Sequence, residues 1–318
     1  MDFHCVYLST RFPSLTIPVN SSITTYHHKT MKETAKTILI TGASTGIGYG
    51  CVKEFHRRGY QVFGNVLQAE DAKRLSNELG DNFIPLVFDV TVTQCIRDAV
   101  KVVAQVLGEN QGLGGLINNA GIAIGGPLML QPMDQIRQHF EVNIFGLLEV
   151  TRAFLPLLGA RENHPAAPGR ILNIGSVNGK IATPFIGAYV GTKHALEGIS
   201  QSWRRELLLY GIDVVIIRPG SVNTPIWDKG VDVSPYKNTP YEDTTATFAA
   251  FAIKEGKSGF SIGHVGNRIA NIFEKRKPKT HYAIVPKKLK NWVIPTLLPH
   301  RMLDRMIGKG VGLIQKKT

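Results

Sequence analysis

Long apolar runs are missing from this chain: nothing in its 318 residues approaches the roughly 18 consecutive apolar residues of a membrane span. Cysteine is scarce. Cys5, Cys51 and Cys95 have neither metal-ligand spacing nor an even count, which fits a reducing compartment, cytoplasm or organelle lumen, and gives them no chemistry. The ten histidines include no His-Glu-x-x-His cluster, so no metal is expected. No segment repeats at a fixed period. A basic stripe through the body is also lacking, although the net charge is +13. Residues 264–318 hold 13 Lys/Arg against two acids, Glu274 and Asp304, and the rest of the chain is nearly neutral. Nucleic acid is therefore not the expected partner. Residues 1–30 carry one acid, Asp2, nine Ser/Thr, two prolines and no sustained periodicity. They read either as an organelle transit segment or as an unstructured extension before a start at Met31-Lys32-Glu33. The expected layout is an extension over 1–33, one α/β domain over 34–286 and a basic, partly apolar tail over 287–318.

What is present is organised around Ile38 to Gly48. Ile38, Leu39 and Ile40 read as a short buried strand, Gly42, Gly46 and Gly48 follow, and Gly50 to Arg58 has a helix-like pattern. A strand that turns through glycines into a helix N-terminus cradles phosphate, because the backbone approaches closely and the free N–H groups favour an anion. The spacing is Gly-x-x-x-Gly-x-Gly, not the common Gly-x-Gly-x-x-Gly. Alone, such a loop also fits an ordinary strand-to-helix turn.

From Lys36 onward strand and helix patterns alternate. Strands are expected at Gln61–Leu67, Phe83–Phe88, Gly115–Asn118, Arg170–Ile174 and Ile212–Ile217. Helices are expected at Glu70–Leu79, Thr93–Leu107, Met133–Leu158 and Ala188–Tyr210. This alternation predicts a single α/β domain: a Rossmann-type, doubly wound parallel sheet with helices on both faces. Ligands of such sheets sit beyond the carboxyl ends of the strands. The residues there are Gly42 to Gly48, Asp89, Asn118-Asn119-Ala120-Gly121, Ser176 and Pro219-Gly220, with Tyr189 and Lys193 four residues apart on the helix that follows Ser176. Taken singly, the Tyr/Lys pair reads as a solvated helix face and Ser176 as a turn residue. In this order and together they are hard to obtain by accident.

With Thr41-Gly-Ala-Ser-Thr-Gly-Ile-Gly48, Asp89, Asn118-Asn-Ala-Gly121, Asn143, Ser176, Tyr189-x-x-x-Lys193 and Pro219-Gly-Ser-Val-Asn-Thr224, the chain resembles the short-chain dehydrogenase/reductase family. The likeness is dense from Lys36 to Thr224 and looser to about Val285. Tyr210-Gly-Ile-Asp-Val-Val and Gly220-Ser-Val-Asn-Thr-Pro resemble the branch containing retinol and hydroxysteroid dehydrogenases. The resemblance implies a catalytic set of Asn143, Ser176, Tyr189 and Lys193. It implies a nicotinamide cofactor held by Gly42, Ser44, Thr45, Gly46, Ile47, Gly48, Asp89, Val90, Asn118, Ala120, Gly121, Tyr189, Lys193, Pro219, Gly220, Val222 and Thr224. Tyr189 would pass the proton, helped by the Lys193 ammonium, and Ser176 would stabilise the substrate oxygen. Asn143 would anchor a relay water and Lys193 the ribose. A homo-oligomer is the family's habit. Relatives that lack catalysis and serve as scaffolds, and 3-oxoacyl thioester reductases with the same motifs, are the alternatives.

Between Ile226 and Phe260 lie Trp227, Tyr236, Tyr241, Phe248, Phe251 and Phe260 without arginine or histidine, the composition of a lid over a bulky apolar alcohol or ketone such as a retinoid, steroid or lipid. The same aromatics also serve simply to pack the lid on the body. Asn65, Val66, Leu67 and Gln68 stand where cofactors are told apart, with neither acid nor arginine, and Thr45 stands where many NADP-users carry a basic residue. NAD(H) is therefore expected over NADP(H), although Lys73 and Arg74 lie within one or two turns. The tail interleaves Lys287, Lys288 and Lys290 with Trp292, Ile294 and Leu297, and is broken by Pro295 and Pro299. It is expected either to rest on an anionic membrane surface or to cap the pocket or a subunit contact.

Overall fold

A computed structural model of the chain describes residues 36–224 and 232–314. The expected extension over 1–33, Trp227 and the last four residues of the tail lie outside the described residues. Seven strands form one parallel sheet in the order β3-β2-β1-β4-β5-β6-β9. They are β1 (Thr37–Ile40), β2 (Gln61–Val66), β3 (Phe83–Val87), β4 (Gly115–Asn118), β5 (Arg170–Ile174), β6 (Asp213–Pro219) and β9 (His281–Ile284). Two short strands, β7 (Val222–Asn223) and β8 (Phe260–Ser261), pair beside it. The strand order reverses between β1 and β4, which places the ligand crevice above these two strands.

The alternation of side chains along β1 decides which helix lies where. Ile38 and Ile40 face a core shared with α1 (Gly46–Arg57), α2 (Ala69–Leu79) and α8 (Ile262–Phe273), through Val52, Phe55, Leu75, Val265 and Ile269. Leu39 faces the opposite core, shared with α3 (Thr93–Leu107), α5 (Leu147–Leu158) and α6 (Gly187–Glu206) through Ile96, Val103, Phe154, Leu196 and Trp203. Both cores are closed, with β1 wholly buried. Helices α1 and α8 cross backbone to backbone: a Cβ on either Gly50 or Gly266 would run into the other helix.

Several expected bounds differ by a residue or two. One difference has a structural reason. The helix read from Met133 to Leu158 is instead α4 (Met133–Phe140), a π-helical turn over Glu141–Gly146, and α5. Asn143 lies inside that turn and uses its side chain against the backbone of Ile122. The rest of the domain comprises α7 (Glu242–Lys257) and a folded C-terminal segment: a π-helical turn at Leu289–Val293, α9 (Ile294–Leu297) and α10 (His300–Gly310).

Candidate active site

The glycine loop is held from three sides. Gly42 has φ +64°, a left-handed conformation that side chains resist, and a Cβ there would lie 3.0 Å from both Ala120 Cα and Asn119 Nδ2. Asn119 donates through Nδ2 to the carbonyls of Thr41 (3.0 Å) and Gly42 (3.1 Å). The Thr41 hydroxyl accepts from the N–H groups of Asn119 (2.9 Å) and Ala120 (3.0 Å). From β2, the buried Asn65 accepts from Gly42 N–H at 3.2 Å and donates to the Phe88 carbonyl at 2.7 Å. Asn65 therefore serves the loop and not a ribose. Its polar side chain within an apolar strand was the available signal for that role, and the sequence reading missed it.

At the start of α1, Thr45 is extended and its side chain does not cap the helix. The loop thus presents uncapped N–H groups and a backbone bare of Cβ at Gly42, Gly46 and Gly48, which fits a dinucleotide pyrophosphate. Thr224 stands beside the loop, its methyl 3.5 Å from where a Gly46 Cβ would be. From α2, Arg74 reaches back to donate to the Ser44 carbonyl at 2.8 Å, while Asp71 pairs with it at 2.7 Å. The NAD(H) expectation rested on the lack of acid and arginine at the end of β2 and of a basic residue at Thr45, with Arg74 a turn or two away; Arg74 does reach back to the loop.

The other cofactor-side residues divide by what their side chains do. Asp89 accepts from the N–H and hydroxyl of Thr91, both at 2.8 Å, and shapes the turn after β3. Val90 is buried against Gly146 of the π-helical turn. Asn118 turns into the sheet, donating to Thr151 (2.8 Å) and Asn173 (2.9 Å), so only its backbone faces the crevice. Ala120 and Gly121 continue over the crevice, and Gly121 lies against Asn143. After β6, Gly220 N–H donates to the Ile284 carbonyl at 2.9 Å. Pro219 and Gly220 are thereby fixed to β9, and Val222 is buried in β7.

The structure brings Ser176, Tyr189, Lys193 and Asn143 together. Ser176 follows β5 and accepts from Asn178 N–H at 3.1 Å, and its hydroxyl acts on the Tyr189 phenol, favouring the phenolate. Tyr189 lies in the first turn of α6, and Lys193 one turn on, its ammonium 5.6 Å from the Tyr189 ring centre. Lys193 is 7% exposed and donates to the Ile174 carbonyl at 2.8 Å. Asn143 donates to Thr192 (3.1 Å), whose hydroxyl in turn donates to the Tyr189 carbonyl (2.7 Å). Thr192, fully buried, is a tie that the sequence reading did not single out.

Burial pushes the Tyr189 phenol above its ordinary value, and the Ser176 hydroxyl only partly opposes this. Burial also pulls Lys193 down to about 8. Its ammonium, 5.6 Å from the phenol ring centre, is turned to the Ile174 carbonyl.

Beneath this group lies a buried ion pair. Arg218 in β6 binds Glu197 in α6 through two 2.7 Å contacts. Glu197 backs onto Gly175 and Gly179, which flank Ser176, and Trp292 lies over the Arg218 guanidinium at 5.6 Å. One pair thus joins the helix of Tyr189, the Ser176 loop and the strand leading to Pro219. A small cavity of about 10 Å³, room for about one water, is lined by Gly125, Gly126, Phe185, Asp232, Val233, Tyr236, Thr245 and Phe248. Phe185 lies just before α6 and packs on Tyr241 and Phe248.

A family profile described as short chain dehydrogenase matches residues 36–232. The chain is 37% identical to the NADPH-dependent 3-dehydrocapnine reductase of Ornithobacterium rhinotracheale, over 88% of this chain and 99% of that one. It is 33% identical to estradiol 17-beta-dehydrogenase 2 of Mus musculus, over 86% and 74% of the two chains. A solved short-chain dehydrogenase/reductase from Burkholderia phymatum in complex with NAD has the same fold, with a TM-score of 0.70 at 21% identity over 87% and 97% of the chains. The chain belongs to the short-chain dehydrogenase family and is an NAD(P)-dependent oxidoreductase acting on alcohol or keto groups.

Proposed function

We propose that this enzyme reduces an apolar, lipid-like ketone, and oxidises the matching alcohol in reverse, with NADP(H) as the favoured cofactor. The observation that carries the reading is the gathering of Ser176, Tyr189 and Lys193 at the strand ends, with an aromatic cluster of Phe185, Tyr241 and Phe248 on the segment that leads into α6. When bound, the nicotinamide supplies or accepts the hydride. The loop from Gly42 to Gly48 would hold the pyrophosphate, Asp89 and Val90 the adenine side, and Pro219 to Thr224 the nicotinamide side. Arg74 would pair a 2′-phosphate, which Leu67 and Gln68 would leave uncompensated. The name of the Ornithobacterium relative, an NADPH-dependent enzyme, points the same way.

Within the chain, Tyr189 Oη donates its proton to the substrate oxygen as negative charge develops there, and Ser176 Oγ hydrogen-bonds the same oxygen. Lys193 holds the ribose hydroxyls and, with Asn143, returns a proton to the phenol. The phenol, held above its ordinary value, is protonated at neutral pH and so carries the proton that reduction of the carbonyl consumes. Phe185, Tyr241 and Phe248, packed together ahead of α6, would supply apolar surface for the substrate.

The test follows the absorbance of reduced nicotinamide with a panel of long-chain ketones, steroids, retinoids, short keto acids and sugars. Wild type should turn over an apolar ketone best. Tyr189→Phe should lose turnover by at least ~10³-fold with cofactor affinity within a few fold, because only the transferable proton is gone. Best turnover of a short keto acid or a sugar would refute the substrate class. Retained activity in Tyr189→Phe would refute the mechanism.

A further inference from the structure

The C-terminal segment is pinned to the body at both ends. Near its start, the half-buried Trp292 lies over Arg218, which ties this ring to the body. At its far end, Val311 is buried against Phe185 and Phe248, the wall of the cavity. Along α10, the half-buried Leu303 and Ile307 share the inner side with Val311 at four-residue spacing. That leaves an outer stripe of Arg301, Met302, Arg305, Met306 and Lys309, with Met302 58% and Met306 50% exposed. Ahead of it, Leu289 and Leu297 are 67% and 77% exposed, next to Lys287, Lys288 and Lys290. None of these six cations forms an ion pair among the described residues, and the only acid in the stretch is Asp304.

A second stretch presents apolar groups beside the same lid. Leu128, Met129 and Met133 are exposed, and Met129 meets Tyr241 at the start of α7. Gly312, following α10, touches Thr244 on the first turn of that helix. The aromatic cluster of Phe185, Tyr241 and Phe248 is therefore bordered by exposed Leu and Met from two parts of the chain, with unpaired cations on the C-terminal part.

We infer that this face docks on an anionic lipid bilayer. Unpaired cations call for an anionic partner, and leucines and methionines interleaved with them call for one that is apolar beneath its charge. A nucleic acid or a free phosphate satisfies only the first demand. No helix among the described residues is long and apolar enough to cross a membrane, so the contact is peripheral. Because both ends are pinned, the outer stripe is presented as a fixed surface, and docking brings the aromatic cluster behind Val311 close to the lipid.

The test uses the full chain and vesicles of phosphatidylcholine with or without phosphatidylglycerol. Sedimentation should recover the protein with anionic vesicles and not with neutral ones, and added salt should release it. Each cation is worth up to about fivefold in partition, so replacing all six with glutamine should reduce binding to the neutral-vesicle level. Met302→Ser with Met306→Ser should lower binding about tenfold. Reduced-nicotinamide fluorescence should report unchanged cofactor binding in both variants, which separates a surface effect from misfolding. No sedimentation with anionic vesicles, equal sedimentation with both kinds, or variants that bind as well as wild type would overturn the inference. A dimer that dissociates in the methionine variant while neither protein binds vesicles would assign the face to a second copy instead.

Discussion

Replacing Lys193 with methionine should make the protein more stable while removing its activity. The ammonium is 7% exposed, and burial takes it from an ordinary lysine's 10.5 to about 8. At ~1.4 kcal/mol for each tenfold change in proton affinity, holding that charge in the fold costs about 3 kcal/mol at neutral pH. Methionine keeps much of the side chain's volume and removes the charge. It also removes the 2.8 Å hydrogen bond to the Ile174 carbonyl, which returns about 1 kcal/mol of the gain. A net stabilisation of about 2 kcal/mol is expected, or a rise of about 4 °C in Tm for a chain of this size. The pH dependence is the sharper readout. Below pH 8 folded and unfolded lysine are both protonated, and the penalty is fully present. Between about 8 and 10.5 the unfolded chain binds the proton that the folded one has lost, so wild-type stability rises with pH relative to the variant. The advantage of methionine should shrink across that window. Urea unfolding at pH 7, 9 and 10.5 measures it. A variant less stable than wild type at pH 7, or a gap unchanged across the window, would refute the reasoning.

The remaining predictions concern cofactor choice and the buried ion pair. Arg74→Ala should lower kcat/KM for NADPH about tenfold or more and leave that for NADH within about twofold, since only one cofactor carries the phosphate that the cation pairs. Equal losses with both would show that Arg74 serves only the loop. Glu197→Gln should cost about 3–5 kcal/mol in urea unfolding by leaving Arg218 buried without its counter-charge. Glu197→Leu combined with Arg218→Met should recover most of that, and a single variant within 1 kcal/mol of wild type would contradict the account.

The doubly wound sheet was legible because its strands are short apolar runs bounded by turn residues. Gly115–Asn118 and Arg170–Ile174 form with the expected bounds, as does the helix Thr93–Leu107 with its apolar residues at helical spacing. The strand His281–Ile284 was not legible: four residues with histidine at one end carry little alternation, and its pairing with β6 supplies the rest. Helix α8 was missed for a related reason, since its place is decided by close backbone contact with α1 at Gly50 and Gly266. Of the site, the clustering of Ser176, Tyr189 and Lys193 followed from strand ends and helical spacing. What a single stretch of chain does not encode is the direction of a side chain. Asn118 turns into the sheet and Asn65 toward the loop, Arg74 reaches back from α2, and Trp292 folds under the tail.

The widened turn at Glu141–Gly146 makes residue count part of the chemistry. A π-helical turn holds one residue more than the α-helical path between the same ends. Deleting one residue there would let α4 and α5 fuse into an unbroken rod, which is locally the easier structure. The same deletion would swing the side chain at 143 about 100° round the axis, away from Ile122 and Thr192. The helix would survive it, but its fastening to the helix of Tyr189 would not. At this turn, a change of a single residue would unfasten the frame that holds the phenol.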